Sequence, residues 1–545
     1  MPRALHCALL STLLLAACGQ GEPNVASGNR EGILHFAIGA EPQSLDPHVL
    51  TADSDSKIAR ALYETLITLN PETLAVEPGG AQGWDISPDG KTYTFHLNPR
   101  ARWSDGDPIT AQDWLWSFRR SLHPDMGNQV AYTLYPITGA EDFAQGNTDF
   151  SAVGIKAIDD YALQMTLINP TPNFMRVLSN NPNYPVQRKT IERFGKVTDR
   201  YTGWTRPGNL VGNGAFTLED WRMGRSVVVR KNPYYWDADH VALNGIVFHT
   251  VENRSAEEKM FRVGQLHYTD NVVLAKIPWY REQPDSPYQQ APQMGSYFLM
   301  FNTGRFPLDD TRVRQALAKS IDRKSLIDTL LLGTAIPSPA LVPPDVAEGY
   351  TPPDLLDYDP VQARQLLADA GYPGGRNWPK VELLYNTSED HRKIAVALQQ
   401  MWKQVLGIKV TLTNQEWQVF LNTVDVGNYQ IARLGWIGGT ADPTDMLEIY
   451  TSDNLMNMTG FSDSRYDDIL LKQAPATIDQ AERMELLREA ETILMQQVPV
   501  LPLYAYTSKH LVQPSVSGMP ANKLDIPNFK YVRLDPDAPV WKAED

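Results

Sequence analysis

Leu15-Ala16-Ala17-Cys18 closes a short apolar run near the start of the chain with small residues and a cysteine. Behind Met1, Pro2 and Arg3, that run is too short to span a bilayer as a helix and the right size for a cleaved export leader. Residues 1–17 therefore read as a signal peptide, and Cys18 as the processed N-terminus and a lipid-attachment site. The only other cysteine, Cys7, leaves with the leader. An exported chain with no cysteine pair has no disulfides, so its fold must rest on a buried core.

The chain is long enough for that. Its 545 residues, 42% hydrophobic and 21% charged, lie in the globular range and predict two to four domains or lobes. No later segment holds eighteen uninterrupted apolar residues, so the chain is expected to be tethered rather than embedded. The formal charge of −15 becomes −16 without Arg3, and no dense Lys/Arg block offsets it, which argues against nucleic acid as a partner.

Residues 18–31 are small and polar without periodicity, which predicts a flexible tether, with folded structure from about Gly32. Ile33–Ile38 reads as a buried strand and a helix follows from about Ser54, with Ile58, Leu62 and Leu66 four residues apart. Tyr93, Phe95 and Leu97 alternate as in a half-buried strand. Thr110 and Asp113 form a capping pair for a helix bearing Trp114, Leu115 and Phe118. Asn213–Phe216 and Ser226–Arg230 read as paired strands. Later helices start at Asp309 or Asp310, Asp359, Ser388 and Asp479, each with an apolar stripe, and Val498–Tyr506 reads as a late strand. Strands and helices alternate throughout, which is an α/β pattern, and the 40 prolines are spread across loops rather than gathered in one linker. That predicts lobes crossed more than once by the chain.

Motifs for catalysis are absent: no H-E-x-x-H, G-x-S-x-G, Walker loop or G-x-G-x-x-G occurs. Ten scattered histidines offer no metal spacing, and the Asp105/Asp107 cluster lacks the ligand pattern of a calcium loop. No cofactor or metal is expected. A secreted hydrolase built from dispersed carboxylates stays open as a different-class alternative.

Seven stretches in order resemble one family, the large extracytoplasmic peptide- and oligopeptide-binding proteins of ABC importers (solute-binding family 5). They are Glu41–His48, Ala101–Ala111, Asn213–Phe216, Asn232–Asp237, Asp310–Leu317, Leu384–Ser388 and Asn414–Trp417. The resemblance implies a periplasmic-binding-protein-like α/β fold of two main lobes with a hinge and an extra lobe. By position, lobe I is 32–63 with 190–291 and 507–545, lobe II is 64–189, and lobe III is 292–506. Ligand would lie between lobes I and III.

In such proteins an extended peptide adds itself as a strand between two segments. Here these would be Thr51, Ala52 and Asp53 on one side, and Arg433, Leu434, Gly435, Trp436, Ile437, Gly438 and Gly439 on the other. Trp417 resembles a residue that walls a side-chain pocket, and Arg433 and His391 resemble residues that meet a peptide carboxylate. One departure stands out. The family's aspartate for the peptide α-amino group is Gly439 here. Removing one partner of a buried pair costs about 3 to 5 kcal/mol, several hundred-fold or more in affinity.

Either Asp53 or another carboxylate takes over, or the ligand lacks a free α-amine: a blocked or modified peptide, a cell-wall fragment or a non-peptide solute. Asp442 resembles an acidic residue that caps the helix begun at Pro443. The resemblance also implies a monomer working with importer permease subunits, anchored through Cys18 and facing the periplasm or the outside. Inner or outer membrane is left open, as is a sensor that feeds a signalling partner.

Overall fold

A computed structural model describes residues 23–50, 52–345 and 347–542. The expected leader, Cys18 and Thr51 lie outside the described residues.

Three main sheets carry the fold. The first is four-stranded, in the order Ile33–Ala37, Gly245–His249, Ser226–Lys231, Phe216–Arg222. Its first pair is parallel, with Ile33 opposite Gly245, so the N-terminal strand is completed by chain some two hundred residues later. The second, also four-stranded, orders Ala81–Ile86, Thr92–Leu97, Ala162–Thr166 and Ile155–Asp159, all antiparallel. The third has six strands in the order Ile336–Pro337, Val500–Leu511, Tyr288–Phe301, Ile431–Ile437, Val381–Asn386, Val410–Gln415. It is mixed: the last three strands are mutually parallel and the rest antiparallel.

Helices flank these sheets where polar caps start them. Thr110 and Asp113 form a capping box ahead of Ala111–Ser121. Asp310, Asp359, Ser388 and Asp479 each accept a backbone N–H at the start of Thr311–Lys319, Pro360–Asp369, Glu389–Leu406 and Gln480–Gln497. Gly407, at φ 73°, ends the third of them in the left-handed region. The helix expected near Ser54 is Asp53–Leu62, and it ends before Leu66.

Two large apolar clusters result, with a smaller third one around Phe261, Tyr280 and Trp541. One cluster runs through the second and third sheets, and a separate one lies under the first. Two long strands, Tyr288–Phe301 and Val500–Leu511, reach from the six-stranded sheet towards the first body, the part of the chain built on the first sheet. Past their ends, Val512 bridges to Tyr268, and Tyr268 to Phe36 of the first sheet. The late strand thus extends five residues beyond the expected Tyr506. Its ladder with Tyr288–Phe301 breaks register between Pro292 and Ser296.

The N-terminal segment departs from expectation. Asn24–Glu31 is a helix rather than part of a flexible tether. Val25 is fully buried and donates its N–H to Gly264 O at 2.9 Å. His267 Nε2 meets Asn29 Oδ1 at 2.9 Å. The small residues suggesting a leash are small because the helix packs closely: a Cβ on Gly28 would lie 2.4 Å from Ile33 O and 2.8 Å from His267 Cε1.

The Glu41–His48 stretch is structural. Arg120, fully buried on Ala111–Ser121, grips Asp46 with Nη2–Oδ2 at 2.6 Å and Nη1–Oδ1 at 2.9 Å. His48 Nε2 lies 3.0 Å from Tyr184 O, which fixes the proton there and leaves Nδ1 to accept from Arg120 at 2.9 Å. Burial alone would push the Asp46 carboxyl up, but the Arg120 guanidinium holds it below the usual range. Asp46→Asn leaves Arg120 as a buried unpaired charge, so urea unfolding should register a loss of about 3 to 5 kcal/mol; a change within 0.5 kcal/mol would contradict this role.

Candidate ligand-binding cleft

A cavity of about 440 Å³ opens between the first body and the six-stranded sheet. One wall carries Asp53, Lys57, Asp270 and Asp525; the other carries Tyr297, His391, Arg433 and Ile437, with Tyr504 and Tyr506 beside them. Of the residues singled out in the sequence, Asp53, His391, Arg433 and Ile437 are brought together here.

Arg433 is set by strand pairing, standing opposite Leu299 in the ladder with Tyr288–Phe301. Its guanidinium lies 4.2 Å from the centre of the Tyr297 ring. Nη1 donates to Asn386 Oδ1 and Nη2 to Tyr506 Oη, each at 3.2 Å. Nε is buried without a partner among the described residues. Every partner of this cation is neutral.

His391 sits in the first turn of Glu389–Leu406, its N–H on the Ser388 cap. Its Nδ1 is 3.4 Å from Tyr297 Oη. Burial, followed by the Arg433 charge, lowers its pKa to about 4. At neutral pH it is an uncharged hydrogen-bonding group, so Arg433 supplies the positive charge. The Leu384–Ser388 motif thereby acquires a physical role: Asn386 orients Arg433, and Ser388 starts the helix that presents His391.

Glycines keep this wall clear. A Cβ on Gly435 would fall 2.2 Å from Tyr506 Oη, so a side chain there would push away the hydroxyl that holds Arg433. On Gly438 it would meet Asp445 Oδ2 and Met294 Cγ, both at 2.8 Å. Gly439 is exposed, and its nearest neighbour would be Asn180 Nδ2 at 3.7 Å, ordinary contact. The carboxylate beneath it, Asp445, is turned inward. It accepts from the Gly439 backbone, from Thr440 N–H at 2.7 Å and from Thr440 Oγ1 at 2.8 Å. Leu434 and Trp436 are half-buried, and Trp436 Nε1 is buried without a partner among the described residues.

The facing carboxylates each have a side-chain partner, and two of them share one lysine. Asp53 begins Asp53–Leu62, its side chain 77% exposed, and pairs with Lys57 Nζ at 2.6 Å. Lys57 also pairs with Asp270. Burial would lower the Lys57 pKa, but Asp270 and then Asp53 outweigh it and raise it. Asp525 meets His510 Nε2 at 2.9 Å. Ala52 caps the helix without a side-chain hydrogen bond.

Two residues behave differently from expectation. Trp417 begins the helix Trp417–Asp425, is 44% exposed, stacks on Phe420 at 5.8 Å and is not among the residues lining the cavity. Asp442 does receive Thr444 N–H at 3.1 Å, as a cap would, but its main partner is Arg483, with two contacts of 2.8 Å in a buried pair. Tyr297, Tyr506, Lys57 and Asp270 were not signalled, except that Lys57 stands four residues after Asp53 on a helix. Gly435→Ala should lower stability in urea by about 1 to 3 kcal/mol through overpacking, whereas Gly439→Ala should change it by less than about 0.5 kcal/mol; equal effects would contradict this account of the two glycines.

Among the described residues, no group of His, Cys, Asp and Glu is arranged to hold a metal, and no helix is long and apolar enough to cross a membrane. Residues 75–457 match the family model described as bacterial extracellular solute-binding proteins, family 5 middle. The chain is 34% identical over 490 residues to the periplasmic oligopeptide-binding protein of Escherichia coli (strain K12), covering 88% of each. It is also 34% identical over 528 residues to the periplasmic murein peptide-binding protein of the same organism, covering 95% of each. In structure it is similar to the unliganded open form of a periplasmic murein tripeptide binding protein, with a TM-score of 0.80, 33% identity, and coverage of 92% of this chain and 97% of that one. By family-model match, identity and coverage, the chain belongs to family 5 of the bacterial extracellular solute-binding proteins.

Proposed function

We propose that this protein captures an extended peptide or peptide-like solute in the cleft and delivers it, unaltered, to the permease of an ABC importer. The observation that carries this reading is Arg433, a half-buried guanidinium facing an open cavity with only neutral partners. A guanidinium fork matches a carboxylate in two-pronged geometry. A ligand bridging both walls would stabilise a closed state over an open one, which is what hinge closure requires. The lobes would be 32–63 with 190–291 and 507–545, then 64–189, then 292–506, with the helix Asn24–Glu31 added to the first. A lipid on Cys18 would then act through a tether ending at about Pro23 instead of residue 31.

The charge pattern favours a ligand without a free α-amine. Gly439 carries no carboxylate, Asp445 points inward, Asp53 and Asp270 share the single cation of Lys57, and Asp390 pairs with Lys393, so none of them stands as an unpaired receptor for an ammonium. An N-blocked or modified peptide, or a cell-wall fragment, fits this wall better than a free peptide ammonium.

Tri- to pentapeptides carrying free or acetylated N-termini and free or amidated C-termini, followed by thermal shift and calorimetry, test the reading. N-acetylated peptides with a free carboxylate should bind, amidation should weaken them, and Arg433→Gln should cost about 2 to 5 kcal/mol of affinity. Absence of binding by every peptide, or binding indifferent to both amidation and Arg433→Gln, would overturn it. The space at Gly439 allows a gain of function: Gly439→Asp should raise affinity for free-amine peptides relative to acetylated ones by about tenfold or more, and an unchanged ratio would contradict the assignment. Recovery of a bound peptide at its original mass after incubation separates capture from hydrolysis.

A further inference from the structure

The cleft holds a second region where two cations make no ion pair among the described residues. Lys509 lies on Val500–Leu511, three residues beyond Tyr506, which touches Arg433. At about 3.3 Å per strand residue, that is roughly 10 Å along the wall. Its ammonium donates to Thr507 O, Thr507 Oγ1 and Thr334 O at 2.5, 3.2 and 3.5 Å, all uncharged acceptors. Arg254, exposed on the same cavity, makes no hydrogen bond or ion pair to a described residue, and its charge opposes that of Lys509. Ser508 lines the same stretch at 5% exposure, and its Oγ is buried without a partner among the described residues. The nearby carboxylate, Asp525, is engaged by His510.

Two like charges lining one cavity are unfavourable until an anion arrives, whereas Ser508, next to Lys509 on the strand, points to the opposite face of the sheet. Resting on the cleft reading above, we infer that Lys509, with Arg254, forms a second anion-binding position, and that the ligand is a peptide-like molecule with two acid groups: one carboxylate at Arg433 and another about three residues' length away. This narrows the ligand class from peptides in general to acidic ones, and it gives a reason for the missing carboxylate at Gly439. A ligand that presents an acid at each end needs no ammonium receptor.

The position should be pH-sensitive. Burial, followed by Arg254, lowers the Lys509 pKa to about 8 against the opposing pull of Asp525. The other groups facing this stretch are His510 and the Lys57–Asp270 pair. The protonated ammonium is the anion-binding form, so the extra affinity should be present at pH 7 and fade as pH rises through about 8. Glu257, behind Asp270, is raised by burial to about 8 as well, so the pH effect must be compared with and without Lys509.

The test is calorimetry with N-succinyl and N-acetyl forms of the same di-, tri- and tetra-alanine peptides. In the wild-type protein at pH 7, the succinyl form of at least one length should bind tenfold or more tightly than its acetyl counterpart, and the ratio should shrink by pH 9. Lys509→Gln should bring the ratio close to one and remove its pH dependence. Arg254→Gln, at an exposed site, should reduce the ratio without threatening the fold. Equal affinities at every length, or a ratio untouched by both substitutions, would overturn the inference. Acetyl peptides that bind through Arg433 with no succinyl advantage would sink this inference alone, whereas absence of all binding would sink the cleft reading beneath it.

Discussion

The antiparallel ladder between Tyr288–Phe301 and Val500–Leu511 underlies the arrangement described above. At one end the two strands sit inside a six-stranded sheet and an apolar core; at the other they reach the first body, where Val512, Tyr268 and Phe36 continue the pairing. The register break between Pro292 and Ser296 falls between these two ends. The cavity lies beside this connection, and the same strands hold its key groups. Tyr288–Phe301 pairs with the strand bearing Arg433, while Val500–Leu511 supplies Tyr504, Tyr506 and Lys509.

Charge placement gives the cleft its character. On the wall with Asp53 and Asp270, each carboxylate is close to Lys57, and Asp525 is close to His510. Across the cavity, among the described residues, Arg433 touches a tyrosine hydroxyl, an amide oxygen and an aromatic face and makes no ion pair. A cation held by neutral groups in a partly dry site gains more from an incoming carboxylate than one already paired. The buried pairs elsewhere, Asp46 with Arg120 and Asp442 with Arg483, are closed on themselves and join chain segments distant in sequence. The contrast between closed pairs in the body and open cations in the cleft separates structural charge from charge available to a ligand.

Much of the fold was legible because it is local. Caps such as Thr110 with Asp113, Asp359, Ser388 and Asp479 are followed by helices, since the cap and the apolar stripe lie within a few residues of each other. The clustering of His391 with Arg433 also followed from the family motifs. What the sequence concealed depends on distant partners. Asn24–Glu31 looks like a flexible segment until the surface around Gly264 and His267 is present to receive it. Lys57 reads as a solvated helix lysine until Asp270, more than two hundred residues away, comes beside it. Tyr506 and Lys509 were hidden because strand alternation does not say what lies across a cleft, and Trp417, which the motif pointed to, is not among the residues lining the cavity.

The most direct measurement is a crystal structure of the protein carrying the solute that copurifies from its own cell envelope, with the solute's mass determined in parallel. The account predicts an intact molecule spanning both walls of the cleft, with an acid group within about 3 Å of the Arg433 guanidinium. A solute that leaves Arg433 without an anion, sits outside the cleft, or has been cleaved there would contradict it.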